Sequence, residues 1–150
     1  MSRDLLADAD YLKKTQAFWD KVRQQQKSSK SSIWCWWSSQ VVVSYIGTLL
    51  NITSCTKISD FNTGILKQRF GDMVKFDRGI SVGCGNGNKE LSLAQSGIVK
   101  HFTLYELSVE SIKETKKNFE QSGYINCIDI VHGDAFKLER NKFDFLLWDN

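Results

Sequence analysis

The sequence predicts an α/β fold with a parallel sheet in its second half and helices before it. Short apolar runs at 79–82, 101–107, 128–131 and 143–148 have the length of buried strands, and segments with helical periodicity separate the first three. Strands that alternate with helices form βαβ units, which build parallel sheets. Residues 1–70 are therefore predicted as a helical region and residues 71–150 as an α/β core.

Three helices are predicted in the N-terminal region. Residues 4–25 place Leu5, Leu12 and Trp19 at heptad spacing, and a Trp-rich helix follows from 33 to about 51. The third helix covers 59–70, with Phe61, Ile65 and Phe70 on one side and Gly71 as its stop. The uncharged stretch 33–56 could span a bilayer by its length alone, but nine Ser, Thr, Asn and Gln residues interrupt it. A buried or lid helix is predicted there, and no membrane span.

Helix boundaries in the second half follow from capping residues. A short helix over 89–96 is predicted to end at Gly97. Ser108 is a candidate N-cap for the next helix, whose predicted apolar face is Val109, Ile112 and Phe119. Gly123 is its expected end.

Composition excludes several functional classes. The formal net charge of +3 is too balanced for a nucleic-acid binder, and the basic residues at 113, 116 and 117 alternate with glutamates as on a solvated helix face. The four cysteines form no closely spaced pair, which favours reduced thiols and a cytoplasmic protein. His101 and His132 lack metal-ligand spacing, so no metal is expected.

The candidate ligand site begins at a glycine loop. Gly83, Gly85 and Gly87 lie between the first strand and a helix, where a tight turn lets a ligand approach the backbone. Glu106 ends the second strand, 23 residues after Gly83, and Asp134 follows the third. Because parallel strands end at one edge of a sheet, these groups should lie together. Glu106 is expected to lie outside the core, so its loss should weaken ligand binding and leave the fold intact.

Two kinds of cofactor fit such a loop. The dinucleotide fingerprint requires a third glycine at position 88, where this sequence has Asn88. Glycines at alternate positions instead resemble motif I of the class I S-adenosylmethionine-dependent methyltransferases. Further similarity lies in 104–107, 133–136 and 143–150, so that the resemblance covers about residues 72–150. It implies a Rossmann-like sheet with an N-terminal helical cap.

The resemblance also implies roles for individual residues. Gly83, Gly85 and Gly87 would line the methionyl and ribose parts of S-adenosylmethionine, and Glu106 would hold the ribose diol. Asp134 would face the adenine amino group, with Ala135 beside it. Asp149 would lie near the methionine end and is the one candidate catalytic base. Cys84 belongs to the cofactor-binding loop as a small residue and not as a nucleophile.

One residue departs from the family pattern. The position two before Gly83 is often acidic in these enzymes and is Ser81 here, so its contact with the methionine ammonium is in doubt. Asp149 or a water molecule is the expected substitute. Trp34, Trp36 and Trp37 are predicted as core residues, with a substrate cage as the alternative.

The predicted function is methyl transfer to a small-molecule acceptor, without nucleic-acid or membrane partners. The alternatives are an NAD-dependent oxidoreductase and a nucleotide-binding module without turnover. The sequence stops directly after the fourth strand, whose run 143–148 is strongly apolar. We therefore expect a fragment, with an exposed sheet edge that favours oligomers and with no activity by itself.

Overall fold

The structure is a computed structural model that describes residues 9–28, 39–52, 57, 59–133, 135 and 142–148. Five α-helices, four strands and one 3-10 turn (Ile125–Cys127) lie in this part of the chain. In order the α-helices and strands are α1 (Ala9–Ser28), α2 (Gln40–Leu49), α3 (Asp60–Phe70), β1 (Phe76–Val82), α4 (Asn88–Gln95), β2 (Val99–Glu106), α5 (Val109–Gln121), β3 (Ile128–His132) and β4 (Phe145–Trp148).

The four strands form one parallel sheet in the order β3-β2-β1-β4. The register aligns Val82 with Tyr105 on β2 and with Trp148 on β4, and it aligns Glu106 with His132 on β3. The carboxyl ends of all four strands therefore meet at one edge. The predicted fold class, an α/β Rossmann-like sheet preceded by helices, is confirmed.

The core lies between the sheet and the helices α4 and α5. Phe102 and Leu104 of β2, Leu93 of α4 and Phe119 of α5 are completely buried. The two helices pack on β2 and on each other, α3 packs on α4, and α1 packs on α5. The N-terminal helices thus contact the α/β core, while the division of the chain at residue 70 stays a prediction.

The predicted apolar face of α5 is wrong in part. Phe119 is buried as expected, but the other fully buried positions are Ser111 and Thr115, whereas Val109 and Ile112 are half-buried. The helix is rotated so that small polar residues face the glycine loop, which allows its backbone to come close. Ser108 caps the helix as predicted, because its hydroxyl accepts a hydrogen bond from the backbone N–H of Ser111 at 3.1 Å.

The aromatic residues of α1 remain outside the core. Tyr11, Phe18 and Trp19 are 44–59% exposed, and on α3 Phe61 is buried while Ile65 and Phe70 are largely exposed. At the edge strand β4, Leu146 and Trp148 are also more than half exposed. Among the helices that the structure describes, none combines the length and apolarity needed to cross a bilayer.

Candidate cofactor site

The glycine loop leaves β1 in a tight turn. Gly83 donates a backbone hydrogen bond to the carbonyl of Tyr105 on the neighbouring strand at 2.9 Å, and Gly87 donates to the carbonyl of Cys84 at 2.9 Å. Gly83, Gly85 and Gly87 all have positive φ, from 58° to 74°, a conformation that other residues seldom adopt. The glycines predicted from the sequence are therefore required by the backbone itself.

Helix α5 packs against this loop and forms hydrogen bonds to its backbone. The hydroxyl of Thr115 donates to the carbonyl of Gly85 at 2.8 Å, and the amide of Asn118 donates to the carbonyl of Asn86 at 2.9 Å. A Cβ atom at Gly87 would lie 2.7 Å from Cγ2 of Thr115, so the helix and the loop are in direct contact. Sequence reasoning missed Thr115 and Asn118, although the small residues of α5 at helical spacing were a signal for close packing.

Glu106 lies at the end of β2 with its side chain turned into the loop. Its Oε2 accepts from the N–H of Gly85 at 2.8 Å, and its Oε1 accepts from the N–H groups of Leu107 and Ser108 at 2.8 and 2.9 Å. The residue is only 8% exposed. The expectation that Glu106 lies outside the core is therefore wrong, because three backbone donors draw its carboxylate inward.

Glu106 still has the capacity to bind a ribose. A carboxylate offers about four lone-pair positions, of which the backbone uses two at Oε1 and one at Oε2. One further hydrogen bond is possible at Oε2, beside Gly85. The site thus fits one ribose hydroxyl in this conformation, and a second hydroxyl would have to share an oxygen with a backbone donor.

Ser81 is paired with a carboxylate from another element. Its hydroxyl donates to Oε1 of Glu90, in the first turn of α4, at 2.5 Å, and both residues are buried at 0% and 1% exposure. A carboxylate from α4 therefore lies beside Ser81, although position 81 itself is not acidic. Sequence reasoning missed Glu90, whose signal was an acidic residue within an otherwise buried helix face.

Cys84 is buried in the loop and is 4% exposed. Burial raises the pKa of its thiol, and the carboxylates of Glu90 and Glu106 raise this pKa further. A thiol that resists ionisation is a poor nucleophile. This environment supports the interpretation of Cys84 as a small loop residue.

Of the remaining predicted site residues, Ala135 lies within the described part of the chain. Ala135 is buried at 8% exposure, beyond the end of β3. Asp134, Asp149 and the tryptophans Trp34, Trp36 and Trp37 lie outside the described residues. Within the described part of the chain, no group of three or more His, Cys, Asp or Glu residues could hold a metal ion.

The comparison with protein families agrees with this loop and sheet. A family model described as a methyltransferase domain matches residues 74–150, just over half of the chain. The chain belongs to this methyltransferase family. The matched region begins just before β1 and contains the glycine loop, Glu106 and all four strands. No curated protein has significant sequence similarity to the chain.

Solved structures support the fold of this methyltransferase domain. A Methanococcus maripaludis protein described as an S-adenosyl-L-methionine-dependent methyltransferase matches with a TM-score of 0.54 at 21% identity, over 71% of this chain and 47% of its own. A Galdieria sulphuraria protein described as a sarcosine dimethylglycine methyltransferase matches with a TM-score of 0.51 at 18% identity, and the match covers 60% of this chain and 33% of that protein. A Pyrococcus horikoshii protein described as an RNA methyltransferase also matches with a TM-score of 0.51, at 12% identity, and the match covers 61% of this chain and 43% of that protein.

The chain therefore spans one third to about half of the length of these structures. The prediction of a class I methyltransferase with S-adenosylmethionine as its cofactor is confirmed by the family and the fold. Nothing in these comparisons supports the alternative of an NAD-dependent oxidoreductase.

Proposed function

We propose that this methyltransferase domain holds S-adenosylmethionine across the carboxyl ends of β1 and β2 and directs methyl transfer to a small-molecule acceptor. The proposal rests on one observation: the backbone N–H groups of the loop glycines are already hydrogen-bonded within the protein. The N–H groups of Gly83, Gly85 and Gly87 already bond to Tyr105, Glu106 and Cys84. A dinucleotide pyrophosphate needs such N–H groups free, and two carboxylates nearby would repel it.

A ligand with a cationic centre and a ribose is suited to the same surroundings. Glu106 offers one acceptor position to a ribose hydroxyl, and Glu90 adds a second carboxylate beneath the loop. Gly83, Gly85 and Gly87 would line the methionyl and ribose parts, with Cys84 as a small residue between them. Asp134 and Ala135 are assigned to the adenine on the family resemblance.

The chain itself contributes to the reaction by aligning the methyl acceptor with the cofactor. S-adenosylmethionine supplies a methyl group that its sulfonium already activates, so the protein needs to orient the acceptor in line and exclude water. Thr115 and Asn118 fix the loop carbonyls, and this limits the movement of the bound cofactor. Asp149 is the proposed base for an acceptor that carries a proton at its nucleophilic atom.

Calorimetric titration of the chain with S-adenosylhomocysteine, S-adenosylmethionine and NAD tests the cofactor assignment. Both sulfur ligands should bind, and NAD should bind more weakly or not at all; tighter binding of NAD would contradict the proposal. The acceptor class is tested on the full-length protein, by homocysteine release in the presence of pooled small-molecule nucleophiles or of RNA. Release that depends on RNA alone would overturn the small-molecule assignment.

A further inference from the structure

His132 stands beside Glu106 at the carboxyl end of the sheet. The two residues are register partners on the neighbouring strands β3 and β2. Nε2 of His132 lies 3.0 Å from the backbone carbonyl oxygen of Leu107, the residue that directly follows Glu106. A carbonyl oxygen only accepts hydrogen bonds, so the imidazole carries a proton on Nε2 and donates it. His132, an exposed residue, thus holds the turn between β2 and α5.

One peptide unit joins this imidazole to the carboxylate of Glu106. The carbonyl of the peptide between Leu107 and Ser108 accepts from His132. The N–H of the same peptide, on Ser108, donates to Oε1 of Glu106 at 2.9 Å. The peptide is planar and trans, so its carbonyl and its N–H point in opposite directions. Hydrogen bonds in series polarise one another, and the bond from His132 therefore strengthens the bond to Glu106.

The preceding peptide unit is held in the same way. The carbonyl of Glu106 accepts from the N–H of Gly133 at 3.1 Å, and the N–H of Leu107 donates to Oε1 of Glu106 at 2.8 Å. The end of β3 therefore holds both peptides that donate to Oε1, one through a backbone N–H and the other through the imidazole of His132. Oε2, which has the remaining acceptor position, belongs to the same planar carboxylate and shifts whenever Oε1 shifts.

We propose that His132 is a positioning residue for the ribose of S-adenosylmethionine, and that it acts through the turn at Leu107 and through Glu106. This inference rests on the proposed function, in which a ribose hydroxyl bonds to Oε2 of Glu106. The strength of a hydrogen bond depends on the distance and direction of its acceptor, so a displaced carboxylate binds the hydroxyl less tightly. The effect of His132 is accordingly confined to ligands that carry the ribose hydroxyls.

The test compares S-adenosylhomocysteine with its 2′,3′-dideoxy analogue, which lacks both ribose hydroxyls. Calorimetry on the full-length protein should show that His132→Met weakens S-adenosylhomocysteine by about three- to tenfold, as expected for the loss of one hydrogen bond. Binding of the analogue should change by less than about twofold, because it has no hydroxyl to bond to Glu106. His132→Gln keeps an amide donor at the reach of Nε2 and should bind S-adenosylhomocysteine within about twofold of the native protein.

His101→Met is the matched control. His101 is the other histidine of the sequence, and its Nε2 bonds to Asp129 near the amino ends of the same two strands. Its replacement removes a similar surface hydrogen bond far from the glycine loop, so both ligands should keep their native affinities.

A double variant and a measurement without ligand give two further readouts. Glu106→Gln already lacks the acceptor beside Gly85, so the addition of His132→Met should weaken S-adenosylhomocysteine by less than about twofold further. In the absence of ligand, His132→Met should speed amide hydrogen exchange at Leu107 and Ser108, and His132→Gln should not.

The inference and the proposed function fail in different ways. Equal weakening of both ligands by His132→Met, or no weakening of either, would overturn the inference while the native protein still bound its cofactor. Independent, additive losses in the double variant would also overturn it. If the native protein bound no S-adenosylhomocysteine, the proposed function itself would fail, and the ribose role of His132 with it.

Discussion

Replacement of Glu106 by alanine tests the interpretation of this residue as an internal anchor of the cofactor loop. The substitution removes the acceptor for the N–H groups of Gly85, Leu107 and Ser108. The Ser108 bond is buried, so its donor would stay unsatisfied at a cost of about 1–3 kcal/mol. The other two bonds are partly buried, and water can replace them at a cost of roughly 0.5–1 kcal/mol each.

The free energy of unfolding should therefore fall by about 2–5 kcal/mol, a large part of the stability of a small domain. Urea titration followed by circular dichroism measures this directly. Glu120→Ala is the control, because Glu120 is exposed on α5 and its removal should change stability by less than about 0.5 kcal/mol. An unfolding midpoint for Glu106→Ala equal to that of the native chain would refute the reasoning.

Glu106→Gln separates stability from binding. The glutamine oxygen can keep the two bonds to Leu107 and Ser108, while its amide group would face the N–H of Gly85 as a second donor. Stability should fall by less than in Glu106→Ala. Binding of S-adenosylhomocysteine should weaken by about tenfold, because the acceptor beside Gly85 is lost.

Three further tests examine the groups around the loop. Thr115→Val keeps the side-chain volume but removes the bond to Gly85, so we expect a loss of about 1–2 kcal/mol in urea unfolding; Thr115→Ser should recover part of it. Glu90→Leu leaves the buried Ser81 hydroxyl without its carboxylate partner and should lower the free energy of unfolding by about 1–3 kcal/mol. Ser81→Asp alone places two carboxylates against each other. The double variant Ser81→Asp with Glu90→Ser restores one hydroxyl and one carboxylate, so it should be more stable than Ser81→Asp alone. Equal stability of those two variants would argue against the pairing. Because the pKa of Cys84 is raised on folding, its contribution to stability is present below the pKa of a free thiol, about 8.5, and declines as the pH rises above it. Iodoacetamide at pH 8 should thus label Cys127 before Cys84, and peptide mass spectrometry with the opposite order would contradict this.

The parts of the site that the sequence predicted are those set by local backbone requirements. Gly85 and Gly87 need positive φ, and Glu106 stands at the end of a strand whose length is visible in the apolar pattern. The meeting of these groups then follows, because the carboxyl ends of parallel strands lie at one edge of a sheet.

The contacts that were missed depend on packing between distant segments. Thr115 lies 30 residues from Gly85, and Asp20, which accepts a hydrogen bond from the hydroxyl of Ser108, lies 88 residues from it. Small polar residues on α5 look solvent-exposed in a hydrophobicity pattern, so Val109 and Ile112 were assigned to the buried face. Thr115 donates to the backbone carbonyl of Gly85, and a hydrophobicity pattern carries no information about such a contact.

Both the sequence and the structure bear on the choice between the two cofactor classes. In the sequence, the argument against a dinucleotide was that Asn88 stands where the dinucleotide fingerprint requires its third glycine. The structure adds a cause, since the loop's three glycine N–H groups are already bonded within the protein and one of them is bonded to a carboxylate. A loop of this kind can make close contact with a ligand, but those N–H groups are not free for a phosphate. The charges beside the loop then matter, because the carboxylates of Glu90 and Glu106 both lie close enough to Cys84 to raise the pKa of its thiol. Under the proposed function, two carboxylates at this loop favour a ligand with a cationic centre and a ribose, and they disfavour a pyrophosphate.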